Sequence, residues 1–224
     1  MGLDWHVGTH RGGAGALHAL DPGPDPTRQV WVMELTRPAL VLGSAQPTGV
    51  VDAEVARAGG IEIVRRRSGG GAVLLEPDGA VWIDVVVPRG DPRWCDDVVA
   101  SMRMVGRAWA EALRDLGVAG VAVHAGRWAP DELGRLVCFA ASGPGEVHAR
   151  GRKVVGLAQR RTRSWARVQG VLLAAGGTAA LQEVLAPGLR AAGVDDARRW
   201  PPMGLPRPLP PATELVGRLL EHLP

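Results

Sequence analysis

The chain has no asparagine and no tyrosine, one phenylalanine and one lysine, against 31 glycines and 18 prolines. Such a skew suggests a GC-rich coding background, in which codons for Lys, Asn, Tyr, Phe and Ile drift to alternatives wherever the physics allows. The lone Lys153 therefore stands out beside 25 arginines (26 Lys plus Arg, less the one Lys). A compact ammonium can meet several oxygens at one point and can lose its proton when desolvated, whereas a guanidinium is broad, planar and always charged. Lys153 is a candidate for chemistry; the ordinary alternative is a solvated surface lysine.

Other absences narrow the function classes. Two cysteines, Cys95 and Cys138, are too few for a disulfide framework and suit a reducing compartment. No apolar run approaches the ~20 residues that span a bilayer, and the opening Met-Gly-Leu-Asp is neither a charged n-region nor an apolar h-region. A cytoplasmic protein without a membrane partner is expected. The histidines, at 6, 10, 18, 124, 148 and 222, show no paired spacing of the zinc kind, so no metal site is expected. The basic run at 150–167 suits phosphates, an acidic protein partner or a solvated face. Trp165 is the aromatic nearest to it, which is poor material for nucleic-acid stacking.

What is present is enough for one full core. The 224 residues are 46% hydrophobic and 22% charged, which fits one globular domain. Residues 1–180 read as the main unit, with a loop-rich first 30 residues, and 181–224 as a short helical extension of it. QVWVMEL and ALVLGSAQ read as strands. GVVDAEVARAGG has Asp52 at its head and Gly59-Gly60 at its end, the signals of a short helix. IEIVRRR alternates apolar and polar side chains, predicting a strand with one buried face. SGGGAVLLE, the turn PDG and AVWIDVVV read as a β-hairpin. Apolar positions 98, 99, 102, 105, 109, 113 and 116 predict a helix ended by Gly117. Further strands are expected around Val121 and in LVCFAAS. EVHARGRKVVGLAQRR reads as a hairpin turning at Arg150-Gly151, with Lys153 entering the return strand. Helices in GTAALQEVLA and ATELVGRLLEHL flank RRWPPMGLPRPLPP, expected as a surface loop. The expected fold is α+β, a mostly antiparallel β-sheet with packed helices.

The most informative stretch is RRRSGGGAVLLE. Consecutive glycines let backbone amides converge on an anion without Cβ interference, though three glycines alone also suit a flexible turn. The spacing is neither a P-loop nor a dinucleotide fingerprint. Taken together, Arg65, Arg66, Ser68, Gly69, Gly70, Gly71, Ala72 and Val73, with Gly151, Lys153, Gly156, Ala158 and Gln159 further on, resemble the lipoate protein ligase family. That family belongs to the wider biotin/lipoate ligase and octanoyltransferase fold, which is class II synthetase-like. Its pattern is an RRxSGGGxV loop followed by a GxKxxGxA strand. RPALVLGSAQ, residues 37–46, is similar to its P-x-x-x-x-G-x-x-Q segment.

The resemblance implies attachment of lipoate or octanoate to the ε-amine of a carrier lysine. In a ligase the acid is first activated with ATP and Mg²⁺ as an acyl-adenylate. Lys153 would then stabilise the oxyanion, Arg66 would reach a phosphate or carboxylate, and Gly69, Gly70 and Gly71 would line the acyl chain and adenylate. Ser68, Ala72, Gly156 and Ala158 would complete the site, with Gln46 and Gln159 at the pocket wall; Val73, Val155 and Leu157 suit either an acyl chain or an ordinary core. The implied partners are lipoyl carrier domains of 2-oxoacid dehydrogenase complexes or the glycine cleavage H protein. An acyl carrier protein and a separate accessory subunit are further implied possibilities.

Several departures open an alternative. Cys138-Phe139 resembles the CF of cysteine-dependent octanoyltransferases, in which the thiol carries the acyl group; a cationic neighbour raises the thiolate fraction of such a cysteine. A buried structural cysteine is the competing reading. Gln169-Gly170-Val171-Leu172-Leu173 matches the family's HG(T/S)LL segment without its histidine. GGAGALHALDP replaces an N-x-A-x-D helix, and Asp84 stands about where an asparagine is expected. Little after residue 180 resembles an accessory adenylation domain. The sequence places the ligase first, a transferase second and a non-catalytic lipoate-binding module third.

Overall fold

The computed structural model describes residues 5–189 and 200–224. β1 (His6–Gly12) is followed by helix α1 (Ala14–Ala19) and then β2 (Gln29–Leu35), which runs parallel to β1. β3 (Ala39–Leu42) leads through a 3-10 turn at Thr48–Val50 to α2 (Ala53–Ala58), whose first amides, those of Glu54 and Val55, donate to the Asp52 carboxylate. Such a cap supplies acceptors that the helix start lacks. β4 (Glu62–Arg65), β5 (Val73–Leu75) and β6 (Ala80–Pro88) follow.

Helix α3 (Val98–Asp115) begins at an Asp97 cap that accepts from Val99 and Ala100. Then come β7 (Val121–Val123), α4 (Glu132–Leu136), a 3-10 turn at Cys138–Ala140, β8 (Val147–Ala149), β9 (Arg152–Arg161) and β10 (Trp165–Leu173). The chain closes with α5 (Thr178–Val184), α6 (Pro187–Leu189) and α7 (Ala212–His222).

The strands form a seven-stranded sheet, β1-β2-β6-β10-β9-β8-β7, and a three-stranded sheet, β4-β3-β5. Apart from the parallel β1–β2 and β3–β4 pairs, every ladder is antiparallel. Side chains alternate between faces of a strand, and β6 shows what this achieves. Ile83, Val85 and Val87 pack in the cluster under α3 and α7, while Trp82 and Val86 face the cluster shared with the small sheet. Polar residues on that second face are enclosed between two sheets.

Several local expectations are corrected. The first 30 residues contain β1 and α1 rather than loop alone. β5 and β6 do not pair: β5 joins β3, and β6 lies between β2 and β10. Both strands read correctly as strands, but apolar runs do not record partners. LVCFAAS is a 3-10 turn after α4, not a strand. In β4 the buried positions include Val64 and continue to Arg66, while Ile63 is 41% exposed, so the face turned inward carries the motif arginine. Trp200, Met203 and Leu205 of the Pro-rich connector are buried, with Met203 bridged to Lys153 and Leu205 to Ala174; the connector's first two residues lie outside the described ones. The Arg150-Gly151 turn stands as expected, with φ of 50° and 76°, the positive pair that a tight two-residue hairpin requires.

Candidate active site

The glycine loop meets the segment after α4 backbone to backbone. Ala72 N donates to Leu136 O at 2.7 Å, and Cys138 N donates to Ala72 O at 2.8 Å. A Cβ on Gly71 would stand 2.6–2.7 Å from backbone atoms of Val137 and Cys138, an approach open only to glycine. The loop therefore fixes Cys138 through main-chain bonds.

Two of the motif arginines hold backbone, Arg66 that of the glycine loop and Arg65 that of the segment after β3. Buried Arg66 donates through Nε and Nη2 to Gly69 O at 3.2 and 2.8 Å and through Nη2 to Gly71 O at 2.9 Å; Nη2 also stands 4.0 Å from Cys138 Sγ. Arg65 donates to the carbonyls of Gly43, Ser44 and Gln46. Gln46 accepts from Gly43 N and donates to Leu136 O, both at 2.9 Å. It is thus a brace behind the site rather than the pocket wall that the resemblance implied. Ala72 is likewise a fully buried support, paired with Val137.

Two cavities meet at the thiol. An open cleft of about 340 Å³ is lined by Ser68, the three loop glycines, Lys153 and Gln159, with exposed Val98 and Trp128 at its lip. A narrower apolar pocket of about 40 Å³ enters between the two sheets, past Phe139 and Gly156 to Val41, Leu75, Trp82 and Val171. Arg66, Cys138, Leu157 and Ala158 line both, so they mark the passage from one to the other. In the cleft, Ser68 Oγ and Gln159 Oε1 are shielded atoms without a hydrogen bond, although Gln159 Nε2 donates to Ser101 Oγ at 2.9 Å.

Lys153 is 4% exposed, and its ammonium lies 2.7 Å from Glu146 Oε2, 2.7 Å from Cys138 O and 2.8 Å from Ala141 O. The Phe139 ring centroid lies 5.0 Å away. Three acceptors converge on one point, which suits an ammonium and not the flat fork of an arginine. Glu146 in turn accepts from Gly143 N at 2.6 Å and Leu157 N at 3.1 Å. Nearby His148 Nε2 sits 2.8 Å from Ser142 Oγ; burial, then His124 and Lys153, lowers its pKa.

Behind the narrow pocket lies a second buried ion pair. Arg167 Nε is 2.6 Å from Asp84 Oδ2, while its Nη atoms donate to the carbonyls of Leu17 and Leu20 at the end of α1. Trp82 Nε1 donates to Asp84 Oδ1 at 2.6 Å. Burial pushes the Asp84 carboxyl up, against the pull of Arg167. His18, on α1, lines the pocket against Trp82 at a centroid distance of 4.5 Å. Burial, then Arg167 and Arg66, lowers its pKa to about 3.

The structure brings the loop, Cys138, Lys153 and Gln159 to one cleft; Glu146, Arg167 and His18 are not singled out by the sequence. α1 is six residues long with no side-chain cap, and Glu146 sits in an ordinary Gly-Pro-Gly turn. Neither leaves a periodic signal.

The sequence pattern of the lipoyl protein ligase A/B catalytic domain matches residues 17–197. This chain belongs to that family. Octanoyltransferase LipM of Kyrpidia tusciae is 36% identical over 135 residues, 56% of this chain and 47% of that protein. The chain spans about half the length of the curated relatives it matches. Among solved structures, the bi-partite lipoate protein ligase of Thermoplasma acidophilum matches at a TM-score of 0.68, with 17% identity, over 99% of this chain and 82% of that one. Lipoate-protein ligase A bound with ATP matches at 0.65, with 18% identity, over 97% and 83%. These likenesses establish the lipoyl ligase fold; among the described residues no helix is long and apolar enough to cross a membrane.

Proposed function

We propose that this member of the lipoyl ligase family is a cysteine-dependent acyltransferase that serves protein lipoylation. The observation that carries this reading is the position of Cys138, at the junction of an apolar pocket with an open cleft. An eight-carbon chain would lie inward, leaving its carbonyl at the thiol. The thiolate attacks the thioester carbonyl of an acyl carrier, the carrier thiol leaves, and an acyl-Cys138 thioester remains. The ε-amine of a lysine on a lipoyl carrier domain, arriving through the cleft, then attacks that carbonyl. An amide forms, the amine sheds a proton, and the Cys138 thiol is regenerated. Lys153 fixes the turn that bears the thiol by holding the Cys138 carbonyl, and its charge stands beside the reacting carbonyl, where developing negative charge is stabilised. Relatives named octanoyltransferases support this order, which reverses the one drawn from the motifs.

The second reading is the ATP-dependent ligase, favoured by the cleft, whose volume of about 340 Å³ lies within the roughly 300–1,000 Å³ of small-ligand pockets. The donor set is a poor fit for Mg²⁺: Glu146 is the one carboxylate among the described residues lining the cleft, and it is bound to Lys153 and two amides. Magnesium is commonly held through one or two carboxylates plus substrate phosphates. The deciding experiment is intact mass after incubation with octanoyl-acyl carrier protein or with octanoate, ATP and Mg²⁺. The transferase reading expects an octanoyl adduct with the carrier donor, lost in Cys138→Ser. Octanoyl-adenylate that depends on Lys153, with no thiol adduct, would replace it with the ligase. Binding without either product would leave the non-catalytic module.

A further inference from the structure

Arg66 and Gln169 also line the largely apolar inner pocket but have hydrogen-bond partners of their own, which leaves one polar side chain there with an unsatisfied atom, the His18 imidazole. Its backbone is held by the Arg167 bonds to the end of α1, and its ring rests on Trp82. The ring's hydrogen can be assigned from its neighbours. Asp84 receives hydrogen bonds from Trp82 Nε1, Arg167 Nε and the side chain of Gln169, its partner across the β6–β10 ladder. A carboxylate accepts and does not donate, so the Gln169 amide nitrogen faces Asp84. That same nitrogen lies 3.2 Å from His18 Nδ1, so Nδ1 is the acceptor there. In a neutral ring the hydrogen then belongs to Nε2. The ring is neutral at physiological pH, because its pKa is lowered to about 3. His18 Nε2 is shielded from solvent and has no hydrogen-bond partner. His18 lines the narrow pocket but not the cleft, which places it inward of the Cys138 passage.

We propose that His18 Nε2–H is a specificity-determining donor, and that the pocket favours an acyl chain carrying a hydrogen-bond acceptor in its tail over a plain hydrocarbon chain of equal length. A buried donor covered by methylenes loses water and gains nothing, while an acceptor restores the bond. The acceptor is an oxygen, as in an oxo-acyl chain, or a ring sulfur, as in a dithiolane. This inference rests on reading the narrow pocket as an acyl site.

The test is equilibrium binding, by titration calorimetry, of octanoic, 6-oxo-octanoic, 7-oxo-octanoic and lipoic acids to the full chain. Wild type, His18→Phe and His18→Gln are compared, with thermal melts confirming that each is folded. Wild type is expected to bind at least one acceptor-bearing acid about tenfold more tightly than octanoic acid, equivalent to ~1.4 kcal/mol. The preference falls below about twofold in His18→Phe and is partly kept in His18→Gln, which retains an N–H donor. The oxo and lipoic arms tell oxygen from sulfur. If octanoic acid binds wild type as tightly as every other acid, the donor role is overturned while the acyl site stands. A preference unchanged in folded His18→Phe overturns it in the same way. If none of the acids binds wild type, the acyl-site reading falls and this inference falls with it.

Discussion

Two buried ion pairs lie on opposite sides of the Cys138 passage, and they use their cations differently. Lys153–Glu146 borders the open cleft, with side chains 4% and 6% exposed; Arg167–Asp84 is sealed behind the narrow pocket at 1% and 0%. At Lys153 the acceptors converge on one nitrogen, whereas Arg167 spreads its donors over a carboxylate and the end of a helix. The first arrangement leaves a compact charge at the wall of the cleft that Cys138 also lines; the second ties α1 to the sheet and so sets the pocket wall. One chain with 25 arginines kept its single lysine where a fork would not fit, and used a fork where a span was needed.

The largest effect should come from breaking the sealed pair. Arg167→Leu leaves Asp84 buried without its cation and should lower unfolding stability by about 3–5 kcal/mol in urea titration. Loss of less than ~1 kcal/mol would mean that Arg167 does not anchor α1. The cleft pair should respond in activity instead. Lys153→Arg is expected to slow acylation of Cys138 about 10²-fold, by mass-resolved time course, with a stability change of about 1–3 kcal/mol from overpacking. Retained rate in that variant would erase the distinction between the two sites.

A smaller effect sharpens the sealed region alone. The unfolded His18 takes a proton near the ordinary imidazole value of 6.5, while the folded one, buried and facing Arg167 and Arg66, resists protonation down to about 3. The unfolded state therefore binds more protons in that window, and stability falls as pH drops through it, by at most about 1.4 kcal/mol per pH unit. Comparing urea midpoints at pH 7 and pH 5 checks this, and His18→Phe should flatten the difference. The smallest effect belongs to the cleft lip. Trp128, 51% exposed, should be replaceable by Ala within about 0.5 kcal/mol of stability, while transfer to the carrier domain slows a few-fold in steady-state assays.

The two regions also differ in how far sequence alone reveals them. The cleft side was readable because its parts are local and compositionally rare: three adjacent glycines, one lysine in a tight hairpin, one Cys-Phe pair. The sealed side was not, because it is made of common residue types brought together from afar. Arg167 meets Leu17 across 150 positions and Asp84 across 83. Periodicity recovered α3 and α7, whose apolar faces are continuous, but could not say that β5 and β6 part company into separate sheets. His18 read as one more histidine in a loose segment, because the six-residue helix that carries it is stabilised by the Arg167 clamp more than by its own sequence.

That distance has a consequence in time. Asp84 and the rest of β6 are made 83 residues before Arg167, an interval of roughly 4–17 seconds at about 5–20 residues per second of synthesis. Until β10 emerges, β6 has no neighbour on that side, and its run AVWIDVVVP is a long apolar edge of the kind that pairs with other chains. The nascent protein is most exposed to misassembly in that interval, and the residue that backs the narrow pocket is also the one that ends it.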